Sequence, residues 1–371
     1  MVTRMGKTHY IIPIFVPDLG CPHQCVFCNQ KKITGLHDIP NAQKVEEIIA
    51  QYLDTIPMDS GITKEVAFYG GSFTAVDPTL QKKLLSPAYQ ALTNGQVNGI
   101  RVSTRPDAVS EEVMSLLSAY GVNTIELGVQ SMDDTVLAMS GRGHTSRDVL
   151  RATVFTKSWG MNLGFQMMVG LPGDTEEKDI NTAYELIALK PDLIRIYPCL
   201  VLRDTPLADL YKSGNYLPLT VVEAVGRCKK LLLVFEKMGI NIIRIGLQPS
   251  EQINLTGDVI AGPYHPAFRE LVESSLALDQ VEYLLAVRAG MKAANKLVLD
   301  VPEEDISITR GHKADNVGYF RKKYGVTEFI TNIDKMLPRG SVKLVSADDR
   351  EFGITVTRLE LPAEVLGAKH N

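Results

Sequence analysis

The sequence has few of the features that mark nucleic-acid-binding, membrane-spanning or secreted proteins. Its 371 residues include one tryptophan, and 39 lysines and arginines nearly balance 43 aspartates and glutamates, for a net charge of −4. So small a charge gives no overall electrostatic footprint for nucleic acid, although a local basic patch stays compatible with it. No apolar run reaches the ~18 residues of a membrane span, and the N-terminus has no apolar core of signal-peptide length. We therefore expect a cytoplasmic protein that makes no membrane contact.

Cysteine is also scarce, and its distribution is uneven. Three of the five cysteines, at positions 21, 25 and 28, fall within eight residues in a C-x3-C-x2-C spacing, with Phe27 before the last. Thiolates hold iron–sulfur clusters, usually four per cluster, so three would leave one iron open, as in a catalytic metal site. A zinc site with His23 as a further ligand and a set of buried cysteines are the alternatives. A disulfide would leave an odd cysteine and suits a secreted protein better.

Strand and helix patterns alternate along residues 9–245 in six or seven βα units of ~30 residues each. Such alternation predicts a parallel sheet with helices outside it, and several strands are continuous apolar runs, as covered strands should be. We predict an α/β fold with a full or partial barrel, in which ligands bind at the C-terminal ends of the strands. The pattern changes near 246–266, so we place a barrel domain at 1–247 and a smaller α/β domain at 248–371.

Local patterns make further predictions within this plan. Asn41 should cap the first helix, and Pro87 should kink or interrupt the second. In the C-terminal part, residues 306–309 have the pattern of a short strand, and residues 342–346 and 354–359 that of a closing hairpin.

Polar or glycine-rich motifs follow the predicted strands of the barrel domain. The pair Gly70-Gly71 would let a ligand approach the backbone closely, although an ordinary βα turn explains it as well. Gln130 could hydrogen-bond a ribose hydroxyl or a carboxylate, and Arg142 offers a planar fork to a carboxylate. A polar network at the barrel rim is the alternative for both. The candidate ligand-contacting residues are Gly70, Gly71, Ser72, Ser103, Gln130, Arg142, Gln166 and Pro198.

The cysteine loop, with its aromatic residue and the strand before it, resembles the radical SAM superfamily. The resemblance implies a radical SAM partial (βα)6-type barrel that holds a [4Fe-4S] cluster on Cys21, Cys25 and Cys28. It also implies that S-adenosylmethionine chelates the open iron and is cleaved reductively to a 5′-deoxyadenosyl radical. The electron would come from a donor of the flavodoxin or ferredoxin type.

The same resemblance assigns places around S-adenosylmethionine to the strand-end residues. Gly70-Gly71-Ser72 matches the element that binds the methionyl amine, but Ser72 stands where many members have Glu or Thr. Ser103 stands where the oxygen-independent coproporphyrinogen dehydrogenase type, a more distant likeness, carries Glu. Gln130 and Arg142 are implied to contact the cofactor, while Gln166 and Pro198 are implied to flank its ribose and adenine.

Motifs at 195–198, 203–206, 243–249 and 261–268 resemble the radical SAM part of the Elongator catalytic subunit. That likeness implies tRNA as a possible partner, and Tyr264 and His265 are speculative substrate-side residues. The sequence has no room for an acetyltransferase domain and lacks a basic N-terminal extension, so carboxymethylation of tRNA uridine is not implied. A radical SAM enzyme acting on tRNA is the leading hypothesis. The alternatives are a non-catalytic tRNA-binding or assembly factor and an enzyme acting on a porphyrinogen or another small molecule.

Overall fold

A computed structural model describes residues 8–16, 21, 24–29, 39–57, 61–247, 254 and 257–362 of the chain. These residues form two compact units. The first takes its residues from Met1–Pro218, Ile240–Ile243 and Gln248–Tyr264, and the second from Leu219–Gly239, Arg244–Leu247 and His265–Asn371. The units thus interleave along the sequence near 218–265. The domain division at 247/248 stays a prediction, since residues 248–253 lie outside the described part.

A sheet dominates the first unit. Within the described residues it has seven strands, in the order β1-β2-β3-β4-β5-β6-β8, and the pairings recorded from β1 to β6 are all parallel. Neighbours in sequence are therefore neighbours in space, as the βα alternation predicts. Buried apolar side chains such as Ile12, Phe68 and Phe165 fill the strands. The strands are β1 His9–Val16, β2 Thr63–Gly70, β3 Gly99–Thr104, β4 Val122–Gln130, β5 Asn162–Val169, β6 Leu193–Pro198 and β8 Asn241–Ile245.

Helices follow most strands of this sheet. Strands β7 (Val201–Leu202) and β9 (Val259–Ala261) form a separate two-stranded antiparallel sheet. Asn41 caps α1 as predicted, because its Oδ1 accepts a hydrogen bond from the Lys44 backbone at 2.8 Å. Helix α2 continues through Pro87, which is buried, so the prediction that this proline interrupts the helix was wrong, while the predicted kink stays a prediction. The helices are α1 Ala42–Thr55, α2 Pro78–Thr93, α3 Glu111–Ala119, α4 Asp134–Met139, α5 Ser146–Ser158, α6 Glu176–Ala188 and α7 Pro206–Lys212.

The second unit packs helices on a four-stranded sheet in the order β11-β10-β12-β13. Strands β12 and β13 form the predicted antiparallel hairpin, and buried Phe320 and Leu344 belong to the core of this unit. The strand predicted at 306–309 is a helix instead, because the side-chain amide of Asn316 binds the carbonyls of Ile308 and Thr309 at its end. The elements are α8 Val221–Lys237, α9 Phe268–Tyr283, a π-helical turn Leu284–Arg288, β10 Lys296–Val301, α10 Ile306–Arg310, α11 Asp315–Tyr324, β11 Glu328–Ile333, β12 Ser341–Ala347 and β13 Arg350–Thr357.

The predicted α/β architecture, a partial barrel with an additional C-terminal unit, is therefore confirmed. Over the ranges that the structure describes, no helix is both long and apolar enough to cross a membrane. The C-terminal ends of β2 to β6 share one edge of the parallel sheet, and that edge carries the candidate site.

Candidate active site

The cysteine loop is held by backbone hydrogen bonds at its centre. The Val26 amide donates to the Ser140 carbonyl at 3.0 Å, just after α4, and the Val26 carbonyl accepts from the Leu207 amide at 2.8 Å, at the start of α7. Within the loop, the Cys28 amide donates to the Cys25 carbonyl at 3.1 Å. Two helix ends of the first unit therefore fix the described part of the loop, residues 24–29, beside the sheet edge.

The three cysteines differ in exposure, since Cys25 is buried, Cys28 is half-buried and Cys21 is exposed as a residue. The sulfur of Cys21 nevertheless faces protein: its burial raises the pKa of the thiol and the nearby Cys25 raises it further, against a hydrogen bond from the Ser72 backbone and the charges of Arg105 and Arg142. All three cysteines are free of disulfides.

The thiols can be compared with the ligand sets of a single ion and of a cluster. Within the described part of the chain, no three His, Cys, Asp or Glu side chains gather around a single-ion position. A lone zinc needs its sulfurs within about 2.3 Å of one point, whereas a cluster's thiolates bind different irons and stay farther apart. The Cys21 thiol lies near the guanidinium groups of Arg105 and Arg142, and the Cys25 thiol contacts Arg142, so this setting fits a group that carries negative charge. His23, the alternative zinc ligand, lies outside the described residues.

Arg142 connects the cysteine loop to the end of β4. Its Nη1 lies 3.1 Å from the Cys25 sulfur, and its Nη2 donates to the Gly128 carbonyl at 2.5 Å. The Arg142 carbonyl accepts a hydrogen bond from Arg105, whose guanidinium also binds the Asp107 carboxylate at 2.9 and 3.0 Å. The side chain of Arg142 is thus buried between the loop and the strand.

The glycine pair after β2 passes very close to β1. A Cβ on Gly70 would lie 2.6 Å from the Val16 carbonyl oxygen, and the φ of Gly70 is +119°, so no other residue fits there without a shift. The Ser72 hydroxyl is buried, lies 2.7 Å from the Thr104 hydroxyl and accepts a hydrogen bond from the Arg105 amide at 3.1 Å. It therefore ties the turn after β2 to the end of β3.

The other strand-end candidates lie on the same edge, in two different settings. Gln166 donates to the Ser103 hydroxyl at 2.8 Å and to Glu126 at 3.3 Å, so these three side chains engage one another. Gln130 is buried with a φ of +68°, an uncommon conformation for a residue other than glycine, and its Oε1 has no hydrogen-bond partner in the described structure. Pro198 is buried at the end of β6.

Beneath this edge lies a buried charge network that the sequence analysis did not connect. The carboxylate of Glu126 is fully buried and pairs with Arg101 at 2.9 Å and with Arg195 at 2.6 Å. Arg101 also pairs with Glu65, and Arg195 donates to the Tyr69 hydroxyl at 2.6 Å. A signal was available in the sequence, because four of the apolar strands carry a charged residue that joins this network: Glu65 on β2, Arg101 on β3, Glu126 on β4 and Arg195 on β6.

The network stays ionised. Burial alone would raise the pKa of Glu126, but Arg195 and Arg101 outweigh it and hold that pKa below its ordinary value. Burial and the charge of Glu126 both raise the pKa of Tyr69, which keeps its hydroxyl protonated. Two carboxylates and two guanidinium groups therefore balance inside the sheet, and Tyr69 adds a neutral donor.

The two speculative substrate-side residues fall in different units. Tyr264 ends the described part of the first unit, where its amide donates to the Gly262 carbonyl at 2.9 Å. His265 belongs to the second unit: its Nδ1 accepts from the Ala267 amide at 3.1 Å, and its ring packs edge-on against His312 at 4.9 Å. Burial, with His312 adding to it, lowers the pKa of His265.

Comparison with known proteins places this fold and site in a family. The sequence profile of the radical SAM superfamily matches residues 16–187, and that of the radical SAM C-terminal domain matches residues 191–277. A tRNA uridine(34) acetyltransferase from Methanocaldococcus jannaschii is 26% identical over 253 residues, which cover 58% of this chain and 47% of the relative. The human Elongator complex protein 3 is 36% identical over 140 residues, covering 36% of this chain and 26% of the relative.

Among solved structures, an N-terminally truncated Elp3 from Methanocaldococcus infernus superposes with a TM-score of 0.60 at 20% identity, over 79% of this chain and 71% of that one. At that identity the likeness shows a shared fold. This chain spans about half the length of the first curated relatives that it matches. Two family profiles in succession, the cysteine loop and the parallel sheet agree: the chain belongs to the radical SAM superfamily of enzymes.

Proposed function

We propose that this chain holds a [4Fe-4S] cluster on Cys21, Cys25 and Cys28 and uses it to cleave S-adenosylmethionine reductively. The observation that carries the proposal is the bridge by Arg142, which joins the Cys25 sulfur to the end of β4. A cluster on this loop would therefore lie beside the strand ends, where α/β barrels bind their ligands. When bound, the cluster and its ligand supply a 5′-deoxyadenosyl radical that abstracts hydrogen from the substrate.

The residues around the strand ends suit a ligand of this kind. Gly70 lies against the Val16 carbonyl at the strand ends, where an amine could meet backbone carbonyls, and the unpartnered Oε1 of Gln130 offers one more acceptor. The Ser72 hydroxyl is already engaged, so we assign the amine to backbone carbonyls. The proposed contacts with S-adenosylmethionine are Gly70, Gly71, Ser72, Ser103, Gln130, Arg142, Gln166 and Pro198.

We further propose tRNA as the substrate, because relatives whose alignments cover 58% and 36% of this chain are named tRNA uridine(34) acetyltransferase and Elongator complex protein 3. Tyr264 and His265 are the proposed substrate-side residues. A cytoplasmic location and an electron donor of the flavodoxin or ferredoxin type belong to the same proposal. A porphyrinogen or other small molecule is the alternative substrate, and a non-catalytic tRNA-binding or assembly factor the alternative role.

Anaerobic reconstitution with iron and sulfide tests the cluster and its chemistry. We expect about four irons per chain and 5′-deoxyadenosine on addition of S-adenosylmethionine and dithionite. Cys25→Ala should lose both, whereas Cys228→Ala, which removes a buried cysteine outside the loop, should retain the iron. Full iron content without 5′-deoxyadenosine would favour the non-catalytic role, and one zinc without iron would favour a zinc module.

The substrate needs a separate measurement. Modified nucleosides of total tRNA from cells with and without this gene should differ in at least one species if tRNA is the substrate. A variant with Cys25→Ala should reproduce the deletion, since it lacks the cluster. An unchanged nucleoside profile would remove tRNA from the proposal and leave the small-molecule alternatives.

A further inference from the structure

We propose that Arg142 is a positioning residue that sets the reduction potential of the cluster through its hydrogen bond to the Cys25 sulfur. This inference rests on the proposed function. The observed contact is direct, with 3.1 Å between Nη1 and the sulfur, and the Arg142 side chain is buried. A charge-assisted hydrogen bond in such a site is stronger than one in water.

The guanidinium is oriented by the protein without any ligand. Its Nη2 donates to the Gly128 carbonyl at 2.5 Å, and its Nη1 donates to the Cys25 sulfur at 3.1 Å. Both terminal nitrogens thus have fixed acceptors, while Nε is buried with no hydrogen-bond partner in the described structure. A carboxylate ligand is not needed to explain where this side chain points.

The backbone of Arg142 is fixed as well. Its amide donates to the Leu137 carbonyl at 3.0 Å, and its carbonyl accepts from Arg105, which is itself anchored on Asp107. Gly141, just before it, has a φ of +64°, and a Cβ there would lie 3.2 Å from the Gln24 carbonyl of the cysteine loop. Contacts within the protein therefore hold the positive group beside the Cys25 sulfur.

The consequence concerns the electron that the cluster must accept. Reduction adds one negative charge to the cluster and its thiolates, and hydrogen bonds to the sulfurs are among the features that set the potential. A fixed positive N–H donor stabilises the reduced state more than the oxidised one. Removal of the donor should therefore make the midpoint potential more negative, so that a donor of the flavodoxin or ferredoxin class transfers its electron less completely.

The test is a potentiometric titration of the reconstituted full-length chain without S-adenosylmethionine, followed by electron paramagnetic resonance of the reduced cluster. Arg142→Met should shift the midpoint to a more negative value, and Arg142→Lys, which keeps the charge but not both donors, should shift it less. Arg151→Met is the matched control, because Arg151 is an exposed arginine on α5. Its midpoint should equal that of the unmodified chain.

The outcomes separate this inference from the proposed function. If the unmodified chain binds no iron, the proposed function fails before the question of Arg142 arises. If all variants bind iron and share one midpoint, while Arg142→Met binds S-adenosylmethionine more weakly, the inference is overturned and Arg142 serves the ligand alone. If Arg142→Met binds no cluster, the test rests on Arg142→Lys. A midpoint potential of Arg142→Lys equal to that of the unmodified chain would then refute the proposal.

Discussion

Replacement of Glu126 by leucine should be one of the most destabilising single changes in the first unit. The side chain is fully buried and lies between two guanidinium groups, 2.9 Å from Arg101 and 2.6 Å from Arg195. Breaking a buried ion pair by removing one partner costs about 3–5 kcal/mol, because a charge stays buried without compensation. Arg101 retains Glu65 and Arg195 retains the Tyr69 hydroxyl. We therefore expect Glu126→Leu to lower the free energy of unfolding by about 3–5 kcal/mol in total, even though it removes two ion pairs.

The single tryptophan makes this measurement specific. Trp159 follows α5 in the first unit, so its fluorescence during urea denaturation reports on the unit that contains Glu126. In a double-mutant cycle with Arg195→Met, the two losses should fall short of additivity by about 0.5–3 kcal/mol, as coupled residues do. Asp209→Asn is the control, since Asp209 forms an exposed pair at 3.9 Å and such pairs contribute about 0–1 kcal/mol. A loss below about 1 kcal/mol for Glu126→Leu would refute the reasoning, because it would mean that the guanidinium groups find water.

Three further predictions follow from single contacts. Gly70→Ala should lower the free energy of unfolding by at least about 1–3 kcal/mol and reduce iron incorporation, because its Cβ would meet the Val16 carbonyl oxygen. Burial, aided by neighbouring guanidinium groups, lowers the pKa of His144 to about 4, so the neutral form is favoured in the folded chain. The contribution of neutral His144 to stability is fully present above the unfolded pKa of about 6.5 and is lost as the pH falls toward 4. Paired urea titrations at pH ~7.5 and ~5 should therefore differ by about 2 kcal/mol in the free energy of unfolding. Lys229→Met should lower the free energy of unfolding by about 3–5 kcal/mol, as followed by circular dichroism, because it removes the cation that pairs at 2.7 Å with the fully buried Asp279.

Each of these predictions has a control. Gly95→Ala shares the left-handed backbone but has open space around the added Cβ, so it should leave iron incorporation intact. His144→Gln should lose the pH dependence; a slope equal to that of the unmodified chain would assign it to another group. Lys212→Met, in an exposed pair, should change stability by less than about 1 kcal/mol, and an equal loss at Lys229 and Lys212 would contradict the argument from burial.

The sheet could be predicted from the sequence because its information is local. Each βα unit shows its own change from apolar run to amphipathic helix, and parallel connections then place successive strands side by side. The motifs at Gly70 and Gln130 were found in the same way, because a strand end is visible in the sequence, whereas Arg142, twelve residues after β4, was singled out by the family resemblance. Their convergence on one edge needed no further information.

The charge network was missed because its pairs exist only across the sheet. Glu126 meets Arg101 and Arg195 through the order of neighbouring strands, over separations of 25 and 69 residues. In the sequence, each looks like an isolated charge in an apolar strand. The short element at 306–310 was misassigned because a run of four β-branched and polar residues has no decisive periodicity. The hydrogen bonds that close its end come from the side chain of Asn316, outside that run.

The anchoring of the cysteine loop bears on how the protein matures. The backbone of Val26, which is not one of the proposed cluster ligands, makes the two hydrogen bonds that join the loop to Ser140 and Leu207. The centre of the loop should therefore be ordered in the iron-free chain, so that insertion of the proposed cluster would not need to drive local folding. Amide hydrogen exchange in the iron-free chain would register this order as slow exchange at Val26.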